Sequence, residues 1–221
     1  GLGYVGLPMA CELARNGFSV IGIDTDASRV TAILKGQSFV NDLSSRMLKR
    51  ILKTKRFLAT SFFPTLDVCD VIIICVPTPL NKTQDPDVSY IMNATAEIKK
   101  HLHKGQLVVL ESTTYPGTTE EIILPELKQV GLKVGRDFFL CFSPERIDPG
   151  NMRFQVADIP KVVGGVTEAC RELGVRFYRS ILKRVVPVSS TRAAEMTKLL
   201  ENTFRIINIG WINEVAMMCH K

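Results

Sequence analysis

The residues able to do chemistry fall at a few places along the chain. It opens "GLGYVGLPMACELARNGFSVIGID", where Gly1, Gly3 and Gly6 match G-x-G-x-x-G, with Tyr4 and Val5 between the last two. In this pattern the first glycine permits a tight turn and the second lets the backbone approach a pyrophosphate. The third lets a helix pack close to a sheet. The N-terminus of that helix then offers free N–H groups and the positive end of its dipole to the anion. A glycine turn alone is a weak signal, but here an amphipathic helix follows, and then a strand ending in Asp24, 18 residues past Gly6. A carboxylate near that position accepts hydrogen bonds from ribose hydroxyls. It would repel a 2′-phosphate, which favours NAD over NADP. Asp24 could also be a turn residue or a cap for the next helix. Arg29 could lie against an adenine or be a solvated helix residue.

Three loops follow apolar strands, where open parallel sheets bind ligands. In "CVPTPLN", Pro77 and the second proline fix the backbone, and Thr78 offers a hydroxyl near a nicotinamide or ribose position. A rigid surface turn would read the same way. In "ESTTYPGTTEE", Ser112 and Thr113 could bond a ligand or an ordered water, or cap the following helix. In "CFSPERIDPGN", Glu145 stands between prolines and could act as a base or hold a sugar hydroxyl. A loop glutamate is equally explained by solvation or by pairing with the adjacent Arg146. Further on, Lys198 and Asn202 are one helical turn apart, so they share a face and could stabilise an oxyanion. From the residues alone, a polar stripe with Lys198 paired to Glu195 or Glu201 is the simpler reading.

Strands and helices must alternate to position these loops. Strand candidates cover residues 19–24, 70–76, 107–111, 138–142, 161–164 and 184–187, and helix candidates follow Gly6, Asp26, Ser44, Ser89, Gly117 and Thr167. The βα alternation predicts an α/β fold, a doubly wound parallel sheet with helices on both faces. The strands are short, continuous and rich in Val and Ile, as buried parallel strands are. Residues 1–189 form this unit. From Ser190, a cap-like residue, about thirty residues run without proline and predict one long helix over 190–221. The strand expected before Gly1 is not in the sequence, so the chain reads as a fragment whose first strand lies upstream.

Composition narrows the function classes. The 221 residues carry 28 Lys and Arg against 22 Asp and Glu, a net charge of +6 that suits anionic ligands. The basic residues form no run and no aromatic interleaving, which argues against nucleic acid. The longest apolar stretch, residues 71–76, is too short to span a bilayer. Six cysteines at irregular spacings and three scattered histidines form no metal-ligand pattern. Unpaired cysteines in apolar runs fit a reducing, cytoplasmic compartment.

Taken together, "GLGYVGLP", "VIGID", "CVPTPLN", "LESTTYPGTTEE", "FSPERIDPGN", "IPKVVGG" and "SSTRAAEMTKLLENTFRIINIGWINE" resemble the UDP-glucose/GDP-mannose dehydrogenase family, in the family's order and over the whole chain. The second and third loops, "ESTTYPGTTEE" and "SPERIDPGN", most resemble the branch that oxidises UDP-N-acetylglucosamine at C6. The resemblance implies an NAD-binding Rossmann domain, then a long helix that begins a central dimerisation domain, and a homodimer through that helix. It implies a four-electron oxidation of a UDP-sugar with two NAD⁺, through a thiohemiacetal and a thioester on a cysteine. Residue by residue, Lys198 and Asn202 match the positions that stabilise the oxyanion and hold water. Glu145 matches the glutamate of thioester hydrolysis, with Arg146 beside it at the sugar. Thr113 matches a threonine contacting cofactor and water, and Pro77 and Thr78 match the cofactor loop. The family's nucleophile stands in a Gly-x-Cys-x-Pro context that none of the six cysteines here has, so this chain by itself should not complete the reaction. The UDP-glucose branch also has a further glutamate where this chain reads Asp148-Pro149.

Two other classes share parts of the pattern. A two-electron dehydrogenase of the 6-phosphogluconate or 3-hydroxyacid type also pairs a Rossmann domain with Lys and Asn on a long helix. It has no need of a hydrolytic glutamate at position 145. A non-catalytic nucleotide-binding module would use the long helix only for pairing.

Overall fold

The computed structural model describes residues 1–41, 43–82, 85–145 and 160–220. Helices begin where the sequence supplies a reason. Helix α1 (Gly6–Arg15) starts at the third glycine of the opening loop. Helix α2 (Ala27–Leu34) is capped by the Asp26 carboxylate, which accepts from the Ser28 and Arg29 amides. Ser44 caps α3 (Ser45–Lys53), Thr167 caps α6 (Glu168–Arg179), and Ser190 caps α7 (Thr191–Cys219). Helix α4 (Ser89–His101) follows the "CVPTPLN" loop. Helix α5 (Leu124–Lys128) continues a π-helical turn, Thr119–Ile123.

Seven strands are present among the described residues: β1 (Val20–Ile23), β2 (Phe57–Thr60), β3 (Val71–Ile74), β4 (Leu107–Leu110), β5 (Phe139–Phe142), β6 (Lys161–Gly165) and β7 (Val185–Pro187). Strands β3 to β7 form one sheet in sequence order, and β1 with β2 forms a separate pair. The α/β class holds, with three local departures from the expected parallel sheet. Strand β2 was not expected. It pairs only with β1, and its four residues after two basic ones carry too short a pattern to stand out. Strands β5 and β6 pair antiparallel, Cys141 with Gly165 and Phe142 with Gly164. No helix candidate lies between those two strands in sequence, and an antiparallel neighbour needs no crossover helix. The sheet is also divided, since β1 and β3 are not paired with each other.

Both faces of the five-stranded sheet are covered. Val108 and Leu110 of β4 point into a core shared with Ile91 and Ile98 of α4, Leu127 of α5 and Ala194 of α7. Their neighbours Leu107 and Val109 point the other way, against Cys170, Val175 and Tyr178 of α6. This alternation with burial on both sides is what a doubly wound sheet requires. A third core joins α1, α2 and α3 to β2. Helix α1 serves two cores, with Leu7 and Ala10 on one side and Met9 and Leu13 on the other.

Candidate active site

A single cavity of about 1790 Å³ gathers nearly all the residues singled out by sequence. Gly1, Gly3, Tyr4 and Val5 line it from the opening loop, and Asp24 and Arg29 from the end of β1 and the start of α2. Pro77, Thr78, Ser112 and Thr113 come from the loops after β3 and β4, and Glu145 from the loop after β5. Lys198 and Asn202 come from α7. Gly6 does not line the cavity, and Arg146 lies outside the described residues.

The opening loop is shaped by close backbone approaches. A Cβ on Gly6 would collide with the carbonyl oxygen of Gly1, and a Cβ on Gly1 with that of Cys75. A Cβ on Gly3 would meet no atom within 4 Å. Two glycines are therefore needed by the protein's own packing, and the third leaves room for a ligand. Val5 at the N-cap of α1 offers no side-chain acceptor. The Leu7 amide donates to the Gly3 carbonyl at 3.1 Å and Pro8 has no N–H, so in the first turn it is the Gly6 amide that is left to an anion. These features fit the pyrophosphate of a dinucleotide.

Asp24 is buried, and each of its carboxylate oxygens is engaged. Oδ2 accepts from the Leu2 amide at 2.7 Å and from Arg29 Nη1 at 2.9 Å, and Oδ1 from the Asp26 amide at 2.9 Å. Burial alone would raise its pKa, but the Asp26 and Leu2 amides and the Arg29 guanidinium outweigh it and hold the carboxyl below its ordinary value. Asp26, not Asp24, is the cap of α2. Arg29 sits 5.5 Å over the Phe39 ring, so it is held between an acid and an aromatic face.

The loops beyond β3 and β4 divide their labour. The Ser112 hydroxyl accepts from the Val76 amide at 2.9 Å and donates to the Val76 carbonyl at 2.7 Å, so it fastens one loop to the other. Thr113, its neighbour, is exposed to the cavity. Thr78 is half-buried and Pro77 exposed.

The remaining wall is built from charge. The Nζ of Lys198 donates to the main-chain carbonyl of Glu145. Burial depresses the Lys198 pKa, opposed by the nearby Glu145. Lys198 does not pair with Glu195. That glutamate is fully buried and accepts from the Gly117 amide at 2.6 Å, the Thr119 amide at 2.9 Å and the Thr119 hydroxyl at 2.7 Å. It thereby locks α7 to the start of the π-helical turn.

Behind Glu145 lies a cluster that sequence reasoning did not assign. Lys161 Nζ stands 2.9 Å from Glu111 Oε1 and 3.7 Å from Glu145 Oε2. The Tyr178 hydroxyl donates to Glu111 Oε1. Burial pushes the Glu111 carboxyl up, opposed by the Lys161 ammonium. Burial would lower Lys161, but Glu111 and Glu145 together hold it above its ordinary value. The signal available in sequence was a single charge closing one apolar strand (Glu111) and another opening a second (Lys161).

The described residues contain no group of acidic, His or Cys side chains placed to hold a metal ion. No described helix is long and apolar enough to cross a membrane.

Fold and cavity together define a dinucleotide-binding domain of the doubly wound class. The chain belongs to the UDP-glucose/GDP-mannose dehydrogenase family: the family's NAD binding domain matches residues 1–182, and its central domain matches residues 192–221. NAD is the cofactor of this domain. A relative from Pseudomonas aeruginosa, a UDP-N-acetyl-D-glucosamine 6-dehydrogenase, is 38% identical over all of this chain and 52% of its own length. The solved UDP-D-ManNAc dehydrogenase of Pyrococcus horikoshii superposes with a TM-score of 0.92 at 37% identity, over 100% of this chain and 53% of that one. The UDP-N-acetyl-mannosamine dehydrogenase Cap5O of Staphylococcus aureus gives 0.88 at 33% identity, over 99% of this chain and 53% of that one. The chain spans about half the length of the relatives it matches.

Proposed function

We propose that the protein containing this chain oxidises the C6 alcohol of a UDP-N-acetylhexosamine, UDP-N-acetylglucosamine by first choice, to the carboxylate. The observation that carries this reading is the shared cavity, which joins a dinucleotide loop to Glu145, Lys198 and Asn202. The reaction consumes one alcohol, two NAD⁺ and one water, and yields one carboxylate, two NADH and three protons.

NAD⁺ supplies the hydride acceptor for each oxidation. Gly1, Gly3 and the first turn of α1 would hold its pyrophosphate, and Tyr4 and Val5 would flank it. Asp24 would accept from the adenosine ribose beside Arg29, and Pro77, Thr78 and Thr113 would border the nicotinamide half. Lys198 and Asn202 would stabilise negative charge on the C6 oxygen, since a partly buried ammonium interacts strongly with a developing oxyanion. Glu145 would place and deprotonate the water that releases the acid, and Arg146 is assigned to the sugar. None of the six cysteines stands in a Gly-x-Cys-x-Pro context, so the thioester-forming cysteine is not assigned to this chain.

Residues 1–189 are read as the NAD domain and 190–221 as the start of the central one. Only the first turns of α7 are buried. Phe204, Ile206, Ile207, Trp211 and Met218 are all more than 60% exposed, a face suited to a second copy of the protein. We place the homodimer contact there and the protein in the cytoplasm, where the free cysteines remain reduced.

The test uses the full-length gene product with limiting UDP-N-acetylglucosamine, and UDP-N-acetylmannosamine and UDP-glucose in parallel. Two NADH per sugar consumed establishes the four-electron reaction and the sugar together. One NADH per sugar transfers Lys198 and Asn202 to a two-electron oxidation. None with any sugar removes the proposal.

A further inference from the structure

We propose that Lys161 is a positioning residue, which fixes the Glu145 carboxylate against the cavity wall. The geometry requires an explanation for a lysine at this place. Lys161 opens β6 with 5% of its surface exposed, inside a wall of apolar strands. A buried ammonium is strongly unfavourable unless it is paired.

Glu111 already pairs it. That carboxylate is buried at the end of β4, 2.9 Å from Lys161 Nζ, and the Tyr178 hydroxyl donates to the same oxygen. The ammonium also lies 5.4 Å over the Tyr178 ring. Lys161 is thus neutralised and held from behind by β4 and α6, and a second carboxylate is not needed to keep it there. Glu145 stands 3.7 Å away on the side that lines the cavity. The dependence therefore runs from Lys161 to Glu145: a cation fixed by the core aims a carboxylate that faces the ligand space. The backbone of the same residue is held separately, by Lys198 on the Glu145 carbonyl. Two lysines from different elements thus fix the two ends of one glutamate.

The three side chains Glu111, Lys161 and Glu145 sum to one negative charge. Among the described residues, Tyr178, Cys75 (Sγ 4.0 Å from Glu111 Oε2) and Lys198 are further titratable groups at this wall. Glu111 and Glu145 both line the cavity, and of the two only Glu145 also has its main-chain carbonyl held by Lys198.

The kinetic consequence rests on the role given to Glu145 above, while the positioning itself does not. The experiment uses the full-length gene product in four forms: wild type, Lys161→Met, Lys161→Arg, and Lys161→Met combined with Glu145→Gln. With UDP-N-acetylglucosamine as the probe, Lys161→Met lowers kcat about 30-fold, the scale of a displaced catalytic group. The KM values for sugar and NAD stay within about threefold. Lys161→Arg recovers kcat to within about fivefold, because the charge is kept while the shape changes. In the Glu145→Gln background, Lys161→Met adds less than about a twofold loss, since the pair acts as one unit. An equal loss in both backgrounds, or an unchanged kcat with only a lower Tm, overturns the proposal.

If the wild-type protein oxidises no nucleotide sugar, the functional reading fails by itself. A crystal structure of the Lys161→Met protein then decides the positioning: a displaced Glu145 carboxylate supports it, and an unmoved one overturns it. If Lys161→Met does not fold, Lys161→Met with Glu111→Leu removes both buried charges together, a change that folded proteins tolerate, and the same comparisons apply.

Discussion

The two regions of the cavity are built by opposite means. The opening loop presents main chain: two glycines that admit no side chain, one that leaves space, and a helix start without a capping side chain. The wall around Glu145 presents side-chain charge, with Glu111, Lys161 and Lys198 converging from β4, β6 and α7. A pyrophosphate is the same in every turnover, and backbone amides set by the fold can hold it. Negative charge that develops on a reacting oxygen is stabilised by fixed donors and opposite charge, whose effect burial strengthens. The two regions should therefore fail differently. The loop is intolerant of an added atom, and the wall is intolerant of a lost charge.

The largest expected effect tests the wall. Lys198→Met in the full-length gene product should lower kcat by about 10²–10³-fold, as removal of an oxyanion donor does. Calorimetry should show NAD affinity unchanged, and a parallel loss there would break the distinction between the regions. The same lysine predicts a pH limb. Burial lowers its pKa from the ordinary 10.5, so the ammonium, and kcat with it, is present at lower pH and lost as pH rises through the lowered value. Lys198→Arg should lack that limb in a pH–rate profile.

The loop is tested next by Gly6→Ala, which sets a methyl group against the Gly1 carbonyl. Overpacking of this kind costs about 1–3 kcal/mol. The Kd for NAD should rise by an order of magnitude or more, with kcat at saturating NAD little changed. A loss confined to kcat would invert the comparison.

Glu195→Gln examines the joint between α7 and the π-helical turn, where one carboxylate serves three donors. The amide keeps one acceptor oxygen and loses the charge, for about 1–2 kcal/mol of stability. Thermal unfolding should show this as a lower Tm. An unchanged Tm would mean that the joint does not hold α7.

The smallest effect sharpens the cofactor side. Asp24→Asn should cost about 1 kcal/mol at neutral pH through its weakened bonds. The carboxyl titrates below its ordinary 3.8 in the folded chain, so its contribution is present at higher pH and lost as pH falls through that lowered value. Wild type and variant should converge in Tm only at pH below 3.8, and a gap that persists there would assign the effect to shape and not to charge.

Much of this was legible in the sequence because it is local. Asp26, Ser44, Thr167 and Ser190 each cap a helix that begins after them. The continuous burial of Leu107, Val108, Val109 and Leu110, which alternate between two cores, follows from an apolar strand with two covered faces. Strand direction was not legible, since the antiparallel pairing of Cys141 with Gly165 depends on which neighbour a strand meets and not on its own residues. The Glu111–Lys161 pair was missed for a related reason. Its members stand 50 residues apart in sequence, and each alone is an ordinary charge at the end of a strand. Ser112 and Glu195 were seen as polar residues, but what they hold could only be found once the loops were side by side.

Helix α7 has a mechanical consequence. It is fastened at Glu195 and extends to Cys219, a lever of about 36 Å from pivot to tip at 1.5 Å per residue. Lys198 sits less than one turn from that pivot, roughly 4.5 Å along the axis. A sideways swing of the tip is thus reduced about eightfold at the lysine, by the ratio of these two lengths. Whatever rests on the far half of the helix can shift by several ångströms while the ammonium moves by less than one.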